Sequence, residues 1–313
     1  MLAGTWNLEN LFRPGSEFGP RDRAAYDAKL AGLAATIDRL APDVLAVQEV
    51  GEEEALADLV ARLAGDWHVV TSTVFEPDHP IRVGVLSRSP IGEVEQVSEF
   101  PAALSPVQVD DGGTAIRAMG RGALRFRVRD VDLVTCHLKS KLLSFPGGRF
   151  SPRDEGERAR FGAYALHRRA AEAVTVRACA DRLLGGRGEE RAVIVLGDLN
   201  DVPLAATTQI LLGPPGSEIG TAGYERPDRG DPWRLWNLAP LIPAERRFTR
   251  VFEGRREMID HVLASRFLVT RATAVDTGTG PPPPPSIGPD PRARRDAPAS
   301  DHAPVVARFD LGD

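Results

Sequence analysis

Short apolar runs bordered by polar clusters recur along the whole chain. Residues 44–47, 131–136 and 192–197 are apolar stretches of strand length, and residues 2–6 and 262–264 form shorter ones. At their ends stand Asn7, Glu9 and Asn10, then Glu49, then His137 and Lys139, then Asp198, Asn200 and Asp201, then Asp260 and His261. Asp301 and His302 form a sixth cluster near the C-terminus. A strand core excludes carboxylates, carboxamides and imidazoles, so these groups belong on a sheet rim, outside the strand termini.

Helical spacing of Leu30, Leu33, Ala34, Ile37 and Leu40 predicts a helix over 24–41, stopped by Pro42. Leu56, Leu59, Val60 and Leu63 repeat that stripe, and alternation over 81–86 marks a strand. Residues 101–120 read as loop with a hairpin tip at 110–113. Two strands over 121–128 and 131–136 are joined by a tight turn at Arg129 and Asp130. Ser151 as cap, Pro152 in the first turn and Asp154 behind it predict a helix start, with Gly185 and Gly186 ending the helix after Leu184. Residues 213–247 read as an irregular excursion, and residues 278–299 as a stiff polyproline-like loop carrying Arg292, Arg294 and Arg295 into the last cluster. Strands separated by helices, plus hairpin strands, predict an α/β fold with two sheets face to face and helices outside.

The polar clusters run from residue 7 to residue 302, so a shared site requires one domain over 1–313 in spite of a length that suggests two. A hydrophobic fraction of 42%, with four Trp and twelve Phe, suffices for a large core. Cys136 and Cys179 have no metal-ligand spacing and read as core residues of a protein in a reducing compartment. No apolar run reaches the length of a membrane span, and a cytoplasmic monomer without membrane contact is expected. The net charge of −5 offers no general attraction to nucleic acid. Residues 139–177 nevertheless carry nine basic side chains against four acidic ones, directly after the His137 cluster. Lys139, Lys141, Arg153 and Arg160 are therefore expected to hold an anionic substrate, Arg153 and Arg160 beside a helix N-terminus.

The strings Thr5-Trp6-Asn7-Leu8-Glu9-Asn10, Val47-Gln48-Glu49, Cys136-His137-Leu138-Lys139, Gly197-Asp198-Leu199-Asn200, Ile259-Asp260-His261 and Ser300-Asp301-His302 follow one another in this order. In that series the chain resembles the endonuclease/exonuclease/phosphatase superfamily, whose members include deoxyribonuclease I. The resemblance covers residues 5–309 and implies a four-layer α/β/β/α sandwich of two packed mixed sheets with flanking helices. It also implies metal-dependent phosphoester cleavage, with Mg²⁺ or Mn²⁺ as cofactor. Carried onto this sequence, Glu49 is the leading metal ligand, with Asn7, Glu9 and Asp301 beside it. Asp198 orients water or a second ion, Asn200 holds the phosphate, and Asp260 orients His302. Whether His302 or Asp198 takes the proton stays open. His137 matches a second histidine that touches phosphate in deoxyribonuclease I-like members, and Asn10 joins the substrate-binding set. The Asn-x-Tyr-x-Pro-Asn string of abasic-site endonucleases is missing, which disfavours that repair activity.

The expected function is a divalent-metal-dependent phosphodiesterase or nuclease acting on short or single-stranded nucleic acid or a nucleotide-like diester. A phosphomonoesterase for a polyphosphorylated small molecule is the alternative. His261 is expected only to pack beside the site, and His68, His79 and His167 to lie on the surface.

Overall fold

A computed structural model describes residues 1–104, 106–278, 283–290 and 292–312. Two six-stranded sheets lie face to face. The first runs, edge to edge, through Ala272–Thr277, Val305–Phe309, Leu2–Leu11, Val44–Val50, Arg82–Ser87 and His68–Thr71. The second runs through Trp236–Asn237, Asp260–Ala264, Val193–Asp198, Val131–His137, Ala118–Val128 and Ile91–Glu99.

Alternation along each strand divides the side chains between two faces. Val44, Ala46, Val83 and Val85 of the first sheet meet Leu124, Phe126, Ile194 and Leu196 of the second in the shared core. Leu45, Val47 and Leu86 point outward and are covered by Leu30, Leu33 and Ile37 of the Arg23–Leu40 helix and by Leu56 and Leu59 of the Glu53–Val60 helix. On the other side Val134, Cys136, Val193 and Val195 are covered by Ala173, Val176 and Ala180 of the Glu155–Leu184 helix. This is the four-layer α/β/β/α sandwich, and both cysteines are buried in it as free thiols.

Each sheet has a parallel pair at its centre, Leu2–Leu11 with Val44–Val50 and Val131–His137 with Val193–Asp198. Antiparallel neighbours enter where these strands end. Asp260 opens a strand opposite Asp198, and Val305 pairs with Thr5, so His302 stands just before its strand beside the end of the first. Carboxyl ends and amino ends of different strands thereby share one rim.

Three sequence boundaries shift. The long helix is capped by Asp154, whose side chain accepts from Glu157 N at 2.8 Å, and not by Ser151. Glu157 in turn accepts from Arg153 N, just before the cap, and the helix starts one turn later than expected. At its other end Gly185 adopts φ 54°, the left-handed stop the sequence predicts. The strand expected from residue 121 begins at Ala118, and a small hairpin of Val107–Gln108 and Ala115–Ile116 frames the tip at 110–113. Within 213–247, Trp236–Asn237 extends the second sheet; Trp236 is buried and Trp233 half exposed. Of the five consecutive prolines, Pro281 and Pro282 lie outside the described residues.

Candidate active site

The polar residues at the strand ends meet across the two sheets. Glu9, Asn10, Glu49 and Asn200 all have φ between 53° and 60°, a left-handed conformation that non-glycine residues adopt at a cost of roughly 1–3 kcal/mol. At Glu9, Asn10 and Glu49 this coincides with a register shift between the two central strands of the first sheet, whose pairing skips from Asn7 to Leu11. The bulge ends regular pairing and brings the Glu49 carboxylate to within 4.0 Å of His137 in the second sheet.

Asn7 sits at the centre. Its Nδ2 donates to Glu49 Oε1 and to Asp198 Oδ2, both at 3.0 Å, while its Oδ1 accepts from Glu9 N at 2.9 Å. Glu49 Oε2 accepts from Asn10 N at 2.8 Å, and Asp198 Oδ1 accepts from Asn200 N at 2.8 Å. Burial pushes the Glu49 carboxyl up, but the Asn7 carboxamide, the imidazoles of His79 and His302 and the Asn10 amide hold it below the usual range. Asp198 goes the other way. Burial, then the adjacent Asp260 charge, raises it to about 7.

His302 Nδ1 lies 2.7 Å from Asp260 Oδ2, with both side chains buried. Burial disfavours the imidazolium, yet Asp260 and Asp301 outweigh it and raise His302 well above the ordinary histidine range. Trp6 Nε1 donates to His302 O at 2.8 Å, and Ser300 Oγ accepts from His302 N at 3.0 Å, which fixes the segment against the first strand. His137 behaves oppositely. Burial and the neighbouring Arg121 guanidinium, whose Nη1 is 2.8 Å from His137 Nε2, keep it neutral by lowering it well below the histidine range. Its Nε2 is 3.4 Å from Asp198 Oδ2.

Asp198, Asp260 and His302 each bring one ligand atom within 4.8 Å of the others. Asp260 Oδ1 is buried with no hydrogen-bond partner, the kind of orphaned acceptor a cation satisfies. Together with Glu49 these are predominantly hard oxygen donors, the chemistry that Mg²⁺ or Mn²⁺ takes.

A cleft of about 1010 Å³ opens beside Glu9 and Asn10. Its wall includes Lys29, His79, Arg121, Lys139, Arg168 and Arg292. Lys139 Nζ donates to Leu142 O at 3.0 Å, and its backbone N is held by Glu172, which also accepts from Arg168. Lys141 is instead paired with Asp201 at 3.0 Å and is absent from the cleft wall. Arg153 and Arg160, expected at the substrate, do not line the cleft; Arg160 is paired with Asp111 at 3.0 Å.

His79 is not a surface residue. It packs at a tilt against Phe18, 4.4 Å between ring centroids, and its Nε2 lies 2.8 Å from Asn10 Oδ1. His68 and His167 are exposed. His261 is fully buried, with Asn237 at one ring nitrogen and Asp201 O at the other. Sequence reading missed Lys29, Arg121 and Arg168. Lys29 left a trace, since it interrupts the apolar helical stripe between Tyr26 and Leu33; it is buried and donates to Glu9 O at 2.5 Å.

The sequence model of the Endonuclease/Exonuclease/phosphatase family matches residues 4–302. Among solved structures, the 3'-5' exonuclease NExo from Neisseria meningitidis superposes with a TM-score of 0.55 at 18% identity, covering 99% of this chain and 100% of that one. A mannosyl-6-phosphatase from Bacteroides thetaiotaomicron gives 0.56 at 15%, again over 99% and 100%. An AP endonuclease from Archaeoglobus fulgidus gives 0.54 at 15% over the same shares. At these identities the likeness is one of fold. No curated protein matches the sequence.

Proposed function

Since the chain belongs to the Endonuclease/Exonuclease/phosphatase family, a family of hydrolytic phosphoesterases, we propose that it is a divalent-metal-dependent phosphodiesterase acting on short nucleic acid or a nucleotide-like diester. The observation that carries this reading is the meeting of Glu49, Asp198 and the Asp260–His302 pair around the Asn7 carboxamide. The first strand and the last strand of the chain are neighbours, which supports residues 1–313 acting as one catalytic unit.

Glu49 would hold the ion, and Asp260 Oδ1, which has no hydrogen-bond partner, would be a further oxygen donor. When bound, a divalent ion neutralises charge on the phosphoryl oxygens and stabilises the leaving oxygen. Asp198, raised to about 7, is matched to accept the proton of an attacking water near neutral pH. His302 stays protonated beside Asp260 and supplies positive charge to the phosphoryl group as negative charge develops there. The wall cations Arg121 and Lys139 suit a second anionic group of the substrate, whereas Arg168 is already paired with Glu76 and Glu172.

The test is hydrolysis of single-stranded DNA, RNA, bis(p-nitrophenyl) phosphate and a panel of phosphomonoesters, each with Mg²⁺, with Mn²⁺ and with EDTA. Diester cleavage that EDTA abolishes and that Glu49→Gln lowers at least about 100-fold, roughly 2.7 kcal/mol of barrier, supports the reading. Turnover undiminished in EDTA sinks the metal requirement, and turnover of monoesters alone replaces phosphodiesterase by phosphatase.

A further inference from the structure

Glu9 stands in a string where a metal ligand is expected, yet its carboxylate is already engaged. Arg294 Nε lies 2.7 Å from Glu9 Oε1 and Arg294 Nη2 lies 3.0 Å from Oε2, a bidentate pair of which 12% of the Glu9 side chain and 22% of the Arg294 side chain are exposed. Asp301 N donates to the same Oε2 at 2.9 Å. Arg294 Nη2 also reaches Ala299 O at 2.9 Å, which closes the loop on itself. Oε2 thus accepts two hydrogen bonds and Oε1 one, so an ion coordinating Glu9 directly, at about 2.1 Å for Mg²⁺, has to compete with this fork.

The pair does not act alone. Arg295 Nη2 donates to Ser16 O at 2.9 Å, and Arg295 Nε donates to Gly19 O. Arg21 is paired with Asp296 at 2.7 Å. On the opposite side, Lys29 holds the Glu9 carbonyl from beneath. Three successive contacts thus fasten residues 294–296 to residues 9–21, and Arg292, two residues before the fork, is carried onto the cleft wall. Arg292 has no ion-pair partner among the described residues.

We propose that Glu9 is not a metal ligand but the anchor of a latch, with Arg294 as its other half. The latch positions Arg292, Arg294 and Arg295 on the cleft wall, where Arg292 faces an anion flanking the scissile phosphate. This deepens the phosphodiesterase reading, on which the role given to Arg292 rests.

The first arm of the test needs no metal. With EDTA-treated full-length protein, trypsin cleavage after Arg292 should accelerate at least about fivefold in Glu9→Gln and in Arg294→Gln, and the double variant should be no faster, because one opening equilibrium governs all three. An unchanged rate in both single variants overturns the latch. Thermal melts that stay cooperative show that the variants are folded. The second arm titrates Mn²⁺ by electron paramagnetic resonance. The latch predicts that Glu9→Gln keeps the wild-type number of bound ions and an affinity within about threefold, while Glu49→Gln loses about tenfold or more. Loss of a bound ion in Glu9→Gln makes Glu9 a ligand and overturns the proposal, leaving the phosphodiesterase reading in place. Wild-type protein that binds no Mn²⁺ contradicts the metal-dependent reading instead, and the proteolysis arm still decides the latch.

Discussion

Asn7 Nδ2 lies 3.0 Å from Asp198 Oδ2, a buried hydrogen bond between residues 191 positions apart that joins the rim of one sheet to the rim of the other. The same amide nitrogen donates to Glu49 Oε1, so both of its protons are spent on keeping two carboxylates apart. Asn7 therefore acts as a spacer between acids, and its oxygen accepts from Glu9 N.

Asn7→Ala removes that spacer and leaves two buried carboxylate oxygens without a donor. The expected loss is about 1–3 kcal/mol of stability in urea unfolding, the cost of unsatisfied buried polar groups. Unfolding midpoints and slopes equal to wild type would count against the spacer role.

Asp260 and His302 share one hydrogen bond, so their variants should behave as a unit. His302→Ala and Asp260→Asn should each lower kcat at least about 100-fold, and the double variant should fall little further. Multiplicative losses in single-turnover measurements would mean that the two act separately.

Lys139 supplies a pH dependence. Burial, and then the guanidinium groups of Arg121 and Arg168, pushes its ammonium down to about 8. Below that pH the cation is present in the cleft, and as pH rises through 8 it is lost. KM for an anionic substrate should therefore climb on the alkaline side. Lys139→Arg keeps its charge there, because guanidinium titrates above about 12. The sign for stability is opposite: the folded state holds the proton less tightly than the unfolded chain, so this group's cost to stability fades as pH rises above 8. An identical alkaline limb in the Arg variant would remove Lys139 from substrate binding.

The cleft's free cations are few, which sets the size of the footprint. For single-stranded DNA we expect two to four phosphate contacts, a slope of log affinity on log salt of roughly −1.4 to −2.8. Arg292→Gln should raise KM about tenfold, whereas Arg153→Glu with Arg160→Glu, both outside the cleft, should change it less than about twofold at physiological salt. A slope of −6 or steeper on duplex DNA, or the reverse ranking of these variants, would relocate the substrate.

Local pattern was enough for the elements and for the rim. Alternation and helical stripes report which face of a segment is buried, and that information is contained in neighbouring residues; hence the helices Arg23–Leu40 and Glu155–Leu184 and the strands that carry Asn7, Glu49, His137 and Asp198 were legible. The order of the polar strings carried the fold. The partners were not legible. Asp260 with His302 was named only through the family resemblance, and Glu9 with Arg294, separated by 285 positions, was not named at all. Which acid meets which cation depends on strand register, on the left-handed bends at Glu9, Asn10 and Glu49, and on how the loop folds back. His79, Arg121 and Arg168 show the same limit. Each is a single polar residue whose role comes from the walls around it, and Arg153 and Arg160, suggested as wall cations by sequence, lie outside the cleft lining. A sequence determines burial through short-range periodicity, while charge pairing falls off within a few ångströms and is decided only once packing has brought distant segments together.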